Sequence, residues 1–287
     1  MTVGERKPIC RTYLMCSPRF FRVEYEINPW MDTGVPVDAD LAVKQWERLR
    51  ETLVELGHTV HTLDPDPALP DMVFAANGAF TVDGVAYGAR FRFPQRGAEA
   101  AAHRAFYAAH GWPYTEPVEI NEGEGDFAYL PGVAGGLILA GYGFRTAPPA
   151  HAEAVEVLGR PIVPLRLTDP RFYHLDTALA ALDDHTIAYY PGAFSEASQR
   201  VLHRLFPDAV LADEADALDF GLNLVSDGRH VVLNGDAAAL ATKLAAAGFT
   251  PVPVELTELK KGGGSVKCCV AELRPPPPTT TDPPTPR

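Results

Sequence analysis

The chain lacks most of the features that assign a protein to a class at sight. It has 4 cysteines in 287 residues, Cys10, Cys16, Cys268 and Cys269. Four thiols at that spacing cannot build a disulfide framework, and no C-x-x-C pair suggests a structural zinc site. Basic residues are outnumbered, 25 Lys and Arg against 37 Asp and Glu, for a net charge of −12. No basic cluster offsets that balance, which argues against a nucleic-acid partner. An acidic surface instead suits a cationic small substrate. No apolar run approaches the ~20 residues of a membrane span, and Met1 to Pro8 carries no signal-peptide core. A cytoplasmic, reduced setting without membrane contact is the resulting expectation. Also missing are a Walker A loop, a dinucleotide glycine fingerprint, a Gly-x-Ser-x-Gly elbow and a His-Glu-x-x-His pair.

What is present is an ordinary apolar content of 46%, enough for a substantial core. Amphipathic spacing predicts helices over Asp40–Leu56, Ala98–Ala109, His151–Leu158, Ser195–Phe206 and Asp236–Ala247. In the first of these, Trp46, Leu49, Leu53 and Leu56 share one face, and Gly57 ends it. Strand candidates are Arg11–Met15, Met72–Phe80, Val85–Phe91, Gly136–Gly141, Thr186–Tyr190, Leu222–Ser226, His230–Leu233 and Val266–Leu273. Five helices interleaved with strand pairs suggest a repeated α/β module of about fifty residues, with an open doubly wound sheet as the competing arrangement. Residues 1–274 read as one domain. The stretch 275–287 is mostly proline and threonine and reads as a disordered tail.

The segment most suggestive of chemistry is Gly262-Gly263-Gly264-Ser265-Val266-Lys267-Cys268-Cys269. The glycines permit close approach of a substrate to the backbone, and a strand after them would point the two thiols to opposite faces. Two buried structural cysteines are the plainer alternative. His174 and Asp176 stand two apart in an apparently extended stretch, a spacing that fits proton transfer beside a carboxylate or a mere hydrogen-bonded pair. Asn121 to Asp126 sets Glu122, Glu124 and Asp126 between glycines, either a solvated turn or a buried acid set that needs a cation. Asp71 and Asn77 would tip an apolar strand, as turn residues or as ligand groups. Arg90 and Arg145 are surface arginines or clamps for a carboxylate. His58 and His61 read as surface residues at a helix exit.

Taken together, the segments Leu14–Cys16 through Ile27–Met31, Pro70–Asn77, Glu122–Asp126, Phe172–Thr177 and Gly262–Cys269 resemble the guanidine-modifying superfamily. That superfamily includes dimethylarginine dimethylaminohydrolases, arginine deiminases, arginine dihydrolases and amidinotransferases, and the bacterial dimethylarginine dimethylaminohydrolase-like proteins are the nearest in look. The resemblance implies a pentein fold, a pseudo-symmetric propeller of five β/α modules. It implies that Cys268 attacks a guanidinium carbon, with His174 as general acid and base. Glu122 and Asp176 would hold the guanidinium nitrogens with Asn77 and Asp71 nearby, Arg90 and Arg145 the α-carboxylate, and Asn28 the amino-acid end.

Two positions depart from the family pattern. The acidic loop carries one extra residue, so that Glu122 or Glu124 could hold the catalytic place, Glu122 being favoured. Asn77 stands where deiminases and dimethylaminohydrolases carry aspartate and arginine dihydrolases carry asparagine. The leading expectation is hydrolysis of Nω-methylated arginine to citrulline and (di)methylamine through a covalent thiouronium. The alternatives are an arginine dihydrolase or deiminase, an amidinotransferase, an inactive protein that binds arginine analogues, and a redox protein using Cys268 and Cys269. No cofactor or metal is implied, and a homo-oligomer stays open.

Overall fold

The computed structural model describes residues 6–276, so the tail expected from 275 onward lies almost wholly outside the described residues. The five expected helices form within two residues of the predicted bounds: Ala39–Glu55, Glu99–Ala109, Pro149–Leu158, Glu196–Leu205 and Ala238–Ala246. Local chemistry sets their ends. Asp38 caps the first helix by accepting from the Leu41 amide at 3.0 Å, and Ser195 caps the fourth through the Ser198 amide. Along the first helix, Trp46, Leu49 and Leu53 are buried against the core.

These helices connect five three-stranded sheets, and each sheet repeats one pattern. Its middle strand is β1 (Thr12–Cys16), β4 (Val85–Gly88), β7 (Leu137–Tyr142), β10 (Ile187–Tyr189) or β13 (His230–Asn234). An antiparallel partner lies on one side: β15 (Ala271–Leu273), β3 (Ala79–Val82), β6 (Phe127–Leu130), β9 (Leu179–Ala181) or β12 (Val225–Ser226). The parallel partner on the other side is β2 (Thr59–Leu63), β5 (Tyr114–Thr115), β8 (Ile162–Arg166), β11 (Val210–Leu211) or β14 (Thr250–Val254). A parallel pair needs a crossover, and each helix supplies it. The first sheet takes its antiparallel strand from the far end of the chain, pairing Leu14 with Ala271, which ties the fifth module to the first. This is the five-module α/β arrangement that the resemblance implies, and not an open doubly wound sheet.

Four local readings change. Pro70–Val73 and Ala75–Gly78 are short 3-10 turns, so Asp71 and Asn77 precede β3 instead of tipping a longer strand. The segment is buried throughout, and an uninterrupted apolar run carries no period to separate strand from turn. Likewise Cys268 and Cys269 lie in turns, and the strand starts only at Ala271. The Val270 amide donates to the Lys267 carbonyl at 2.9 Å, which curls the chain and removes the expected strand alternation. Leu175–Thr177 is also a 3-10 turn, not extended backbone. His58, just ahead of β2, is buried, taking the Arg11 amide on Nδ1 at 3.2 Å with its ring edge-on to Tyr13.

Candidate active site

The fold brings one short polar segment from each module to a common place, always just ahead of the antiparallel strand. Asn77 precedes β3, Glu122 to Asp126 precedes β6, His174 and Asp176 precede β9, Asn223 precedes β12, and Cys268 precedes β15. All of these side chains are buried. Residues far apart in the chain thus meet because five equivalent turns converge.

Cys268 is held from two sides. Asn223 accepts the Cys268 amide at 3.0 Å and the Ser265 amide at 3.1 Å on Oδ1, and donates through Nδ2 to the Cys268 Sγ at 3.1 Å. The thiol in turn donates to Asp176 Oδ2 at 3.4 Å. Burial, with the Asp176 charge adding to it, pushes the Cys268 thiol well above its ordinary range. Burial also pushes the Asp176 carboxyl up to about 6, against the pull of His174 and Lys267. Its Oδ1 has no partner among the described residues.

His174 is oriented by Glu122. Its Nε2 lies 2.8 Å from Glu122 Oε2, and its Nδ1 is buried without a partner among the described residues. Glu122 also receives Arg145 at 2.8 Å and the Arg92 amide at 3.1 Å. Burial alone would raise this carboxyl, but Arg145 and His174 hold it below the usual carboxylate range. Asp126 supports the arrangement by accepting the Leu175 amide at 3.0 Å and the Thr146 amide at 3.1 Å. Gly125 has to lack a side chain, since a Cβ there would sit 2.4 Å from Asn77 Nδ2 and 3.2 Å from the His174 ring.

Glu124 goes elsewhere. It pairs with Lys267 and Arg274 and accepts the Glu272 amide at 2.8 Å, so it is committed to an ion cluster away from the imidazole. Of the two loop glutamates, Glu122 is the one placed beside His174. Asn77 offers its Oδ1 to Arg96 at 2.7 Å, leaving Nδ2 without a partner among the described residues. Asp71 accepts the Tyr25 hydroxyl at 2.9 Å, and burial raises its carboxyl. Arg145 lies between the Phe93 and Tyr173 rings and donates to the Ile27 carbonyl at 3.0 Å. Asn28 bonds to the Gly262 carbonyl at 3.1 Å and the Trp30 amide at 2.9 Å, packing its loop over the glycine approach. Gly263 adopts φ +88° there, and a Cβ would strike Asn28 at 2.6 Å.

Arg90 is not brought into this group. It is exposed and donates to the Val118 carbonyl, while its backbone is bridged to Asn121. The arginine that does arrive is Arg96, buried against Glu99 at 2.8 and 2.9 Å, against Asn77, and 3.9 Å from Asp71. Pro94-Gln95-Arg96-Gly97 looks like a surface turn, so nothing in its pattern marks Arg96 for burial. Asn223 was equally hidden, an amide within an apolar strand candidate. The repeat could have exposed it, since Asn77 and Asn223 stand two residues ahead of their respective strands.

The arrangement is a buried thiol, an imidazole positioned by a carboxylate and a second carboxylate against the sulfur. That set suits nucleophilic attack on a cationic carbon centre. Among the described residues no cluster of His, Cys, Asp and Glu has the makings of a metal site, and no helix is long and apolar enough to cross a membrane.

No family model matches the chain. A dimethylarginine dimethylaminohydrolase of Mycobacterium tuberculosis is 54% identical over 270 residues, which cover 94% of this chain and 88% of that protein. The bifunctional arginine dihydrolase/ornithine cyclodeaminase ArgZ of Synechocystis is 35% identical over 260 residues, covering 89% of this chain and 36% of that longer protein. A crystal structure of the ArgZ N-terminal domain, covalently bonded to a reaction intermediate, matches with a TM-score of 0.89 at 33% identity, over 93% of this chain and 100% of that one. A dimethylarginine dimethylaminohydrolase adduct with 4-chloro-2-hydroxymethylpyridine shares the fold, with a TM-score of 0.75 at 18% identity over 92% of this chain and 100% of that one.

Proposed function

This chain belongs to the dimethylarginine dimethylaminohydrolase family of guanidine-modifying proteins, and from that premise we propose that it hydrolyses Nω-methylated arginine to citrulline and (di)methylamine. The observation that carries this reading is the buried Cys268 thiol 3.4 Å from Asp176, with His174 fixed on Glu122. Residues 1–274 act as one catalytic domain. Four free cysteines suit a reducing, cytoplasmic setting.

A guanidinium is resonance-stabilised and stays protonated, so a neutral thiol is a poor partner for it. Seated between Glu122 and Asp176, the cation lowers the cost of ionising both Asp176 and Cys268, and the Cys268 proton is lost to solvent as the thiolate forms. The thiolate adds to the guanidinium carbon and forms a neutral tetrahedral adduct. Protonated His174 gives its proton to the departing amine nitrogen as the C–N bond breaks, leaving a cationic thiouronium on Cys268. Neutral His174 then takes a proton from water as the hydroxide oxygen bonds to the same carbon. Collapse expels the Cys268 sulfur, the hydroxyl proton of the intermediate passes to it, and the neutral ureido group of citrulline is left with Cys268 restored as the thiol.

A second reading, arginine as substrate, is favoured by one observation. Asn77 presents an amide where a second carboxylate would otherwise meet the substrate, and its Oδ1 is already taken by Arg96. The test is to incubate the protein with Nω,Nω-dimethylarginine and with arginine and to identify the amine released. Dimethylamine with citrulline upholds the leading reading. Ammonia from arginine alone replaces it with a dihydrolase or deiminase, and amidine transfer to an added amine replaces it with an amidinotransferase. Binding of both compounds without any product would leave an inactive arginine-analogue-binding protein.

A further inference from the structure

A cavity of about 390 Å³ has Asp176 in its wall but not Cys268, and the mechanism above makes no use of it. Its inner wall includes Asp176, Lys267 and Glu124, whereas Cys268, His174 and Glu122 do not line it. Exposed Cys10 and half-buried Asp183 and Asp184 also line it, towards solvent. Three of its lining residues carry buried polar atoms with no partner among the described residues: Asp176 Oδ1, Tyr13 Oη and Arg11 Nε. Buried polar atoms of that kind call for water or a ligand.

The charge on the wall selects the kind of ligand. Five carboxylates line the cavity against three basic side chains. Those bases pair with Glu272 and Glu124, and Asp183 pairs with Arg6, which leaves Asp176 and Asp184 as the lining carboxylates without a basic partner among the described residues. Small cations are favoured over anions. The proposed reaction releases an amine, which becomes such a cation on protonation, while the rest of the substrate is still bonded to Cys268, itself only 2% exposed. The amine has to leave and water has to arrive before the intermediate can be hydrolysed.

We propose that this cavity is a binding site for a small alkylammonium ion and the exit for the released amine. The inference rests on the hydrolase reading, since that reaction is the source of the amine. A neutral amine leaves the adduct, takes a proton from water in the cavity and departs as an ammonium ion past Asp183 and Asp184.

The probe is dimethylammonium chloride, titrated onto the Cys268→Ser protein by saturation-transfer NMR, so that binding is read without turnover. Cys10→Trp plugs the rim from an exposed position, and Asp184→Asn removes a rim charge with little change of shape. Dimethylammonium affinity is expected to fall about tenfold or more with Cys10→Trp and about threefold with Asp184→Asn, with arginine binding unchanged in both. In the enzyme with Cys268 intact, added dimethylammonium should inhibit noncompetitively, and Cys10→Trp should lower kcat without raising KM. Equal affinity in all three proteins, or one-for-one displacement of dimethylammonium by arginine, would overturn the proposal. Binding that is lost on plugging in a protein that releases no dimethylamine would keep the site and remove the hydrolase reading instead.

Discussion

Glu122 and Glu124 stand two residues apart on one loop, and both are buried, yet they enter neighbourhoods of opposite character. Around Glu124 the charges are matched: Lys267, Arg274, Glu272 and Arg11 pair with one another, and both carboxylate oxygens of Glu124 are used. Around Glu122 the matching is incomplete. His174 Nδ1, Asn77 Nδ2 and Asp71 Oδ1 all lack partners among the described residues. Leaving buried polar atoms unpaired costs on the order of 1–3 kcal/mol each, so a fold retains them only where something else supplies the missing partner. The comparison separates an ion cluster that ties the turn before β6 to the first sheet from a proposed site that a ligand would complete.

Breaking each neighbourhood in turn should give different losses. Cys268→Ser should lower turnover by about a thousandfold or more and His174→Ala by about 10²–10⁴-fold, with thermal unfolding little changed. Glu122→Gln should cut kcat by about a hundredfold by losing the orienter of the imidazole. Glu124→Gln should do the reverse. Unpairing Lys267 and Arg274 is expected to cost about 3–5 kcal/mol of stability in denaturant unfolding, while kcat per folded molecule stays within a few-fold.

Asn223→Asp sharpens the contrast within the site. It keeps the shape but replaces the donor on the sulfur with a negative acceptor, so kcat/KM should fall by about a hundredfold and its pH optimum move upward. A smaller effect distinguishes the two arginines. Arg96→Lys should raise KM about tenfold because a lysine cannot reproduce the fork that binds Glu99 and Asn77, while Arg90→Ala should change KM by less than about twofold.

The smallest effect is one of stability. Because burial raises Asp176 to about 6, the folded protein holds that proton more tightly than the unfolded chain. Stability is therefore lost as pH rises from the ordinary aspartate range through about 6, and the loss is complete above it. Asp176→Asn should unfold at a higher temperature above pH 7, by up to about 3 kcal/mol, and show no gain below about pH 4. An inactive but more stable variant is the expected mark of an active-site carboxylate.

Much of the fold was legible because helices announce themselves locally. A 17-residue helix with Trp46, Leu49 and Leu53 on one face, an Asp cap and a terminal Gly has few alternative readings. The parallel edge strands were not legible. In β14 the sequence Thr-Pro-Val-Pro-Val removes two amide donors, which an edge position tolerates but a strand search discounts. At the site, Cys268, His174 and Glu122 carried strong residue-type signals. Arg96 and Asn223 did not, because burial of an arginine in a Pro-Gln-Arg-Gly turn is decided by Asn77 and Asp71 arriving from elsewhere to join nearby Glu99. The turn at Cys268 was misread for the same reason: the Asn223 side chain, 45 residues away, captures its amide.

The central claim is that the sulfur of Cys268 becomes an anion only when a cation is bound beside it. Thiolate ultraviolet absorbance, taken as the difference between the native protein and Cys268→Ala, measures this directly with and without an unreactive guanidinium ligand. The account predicts no Cys268 thiolate at neutral pH in the empty protein and its appearance on saturation with the ligand. A thiolate already present at neutral pH without ligand, or none after saturation, would contradict it.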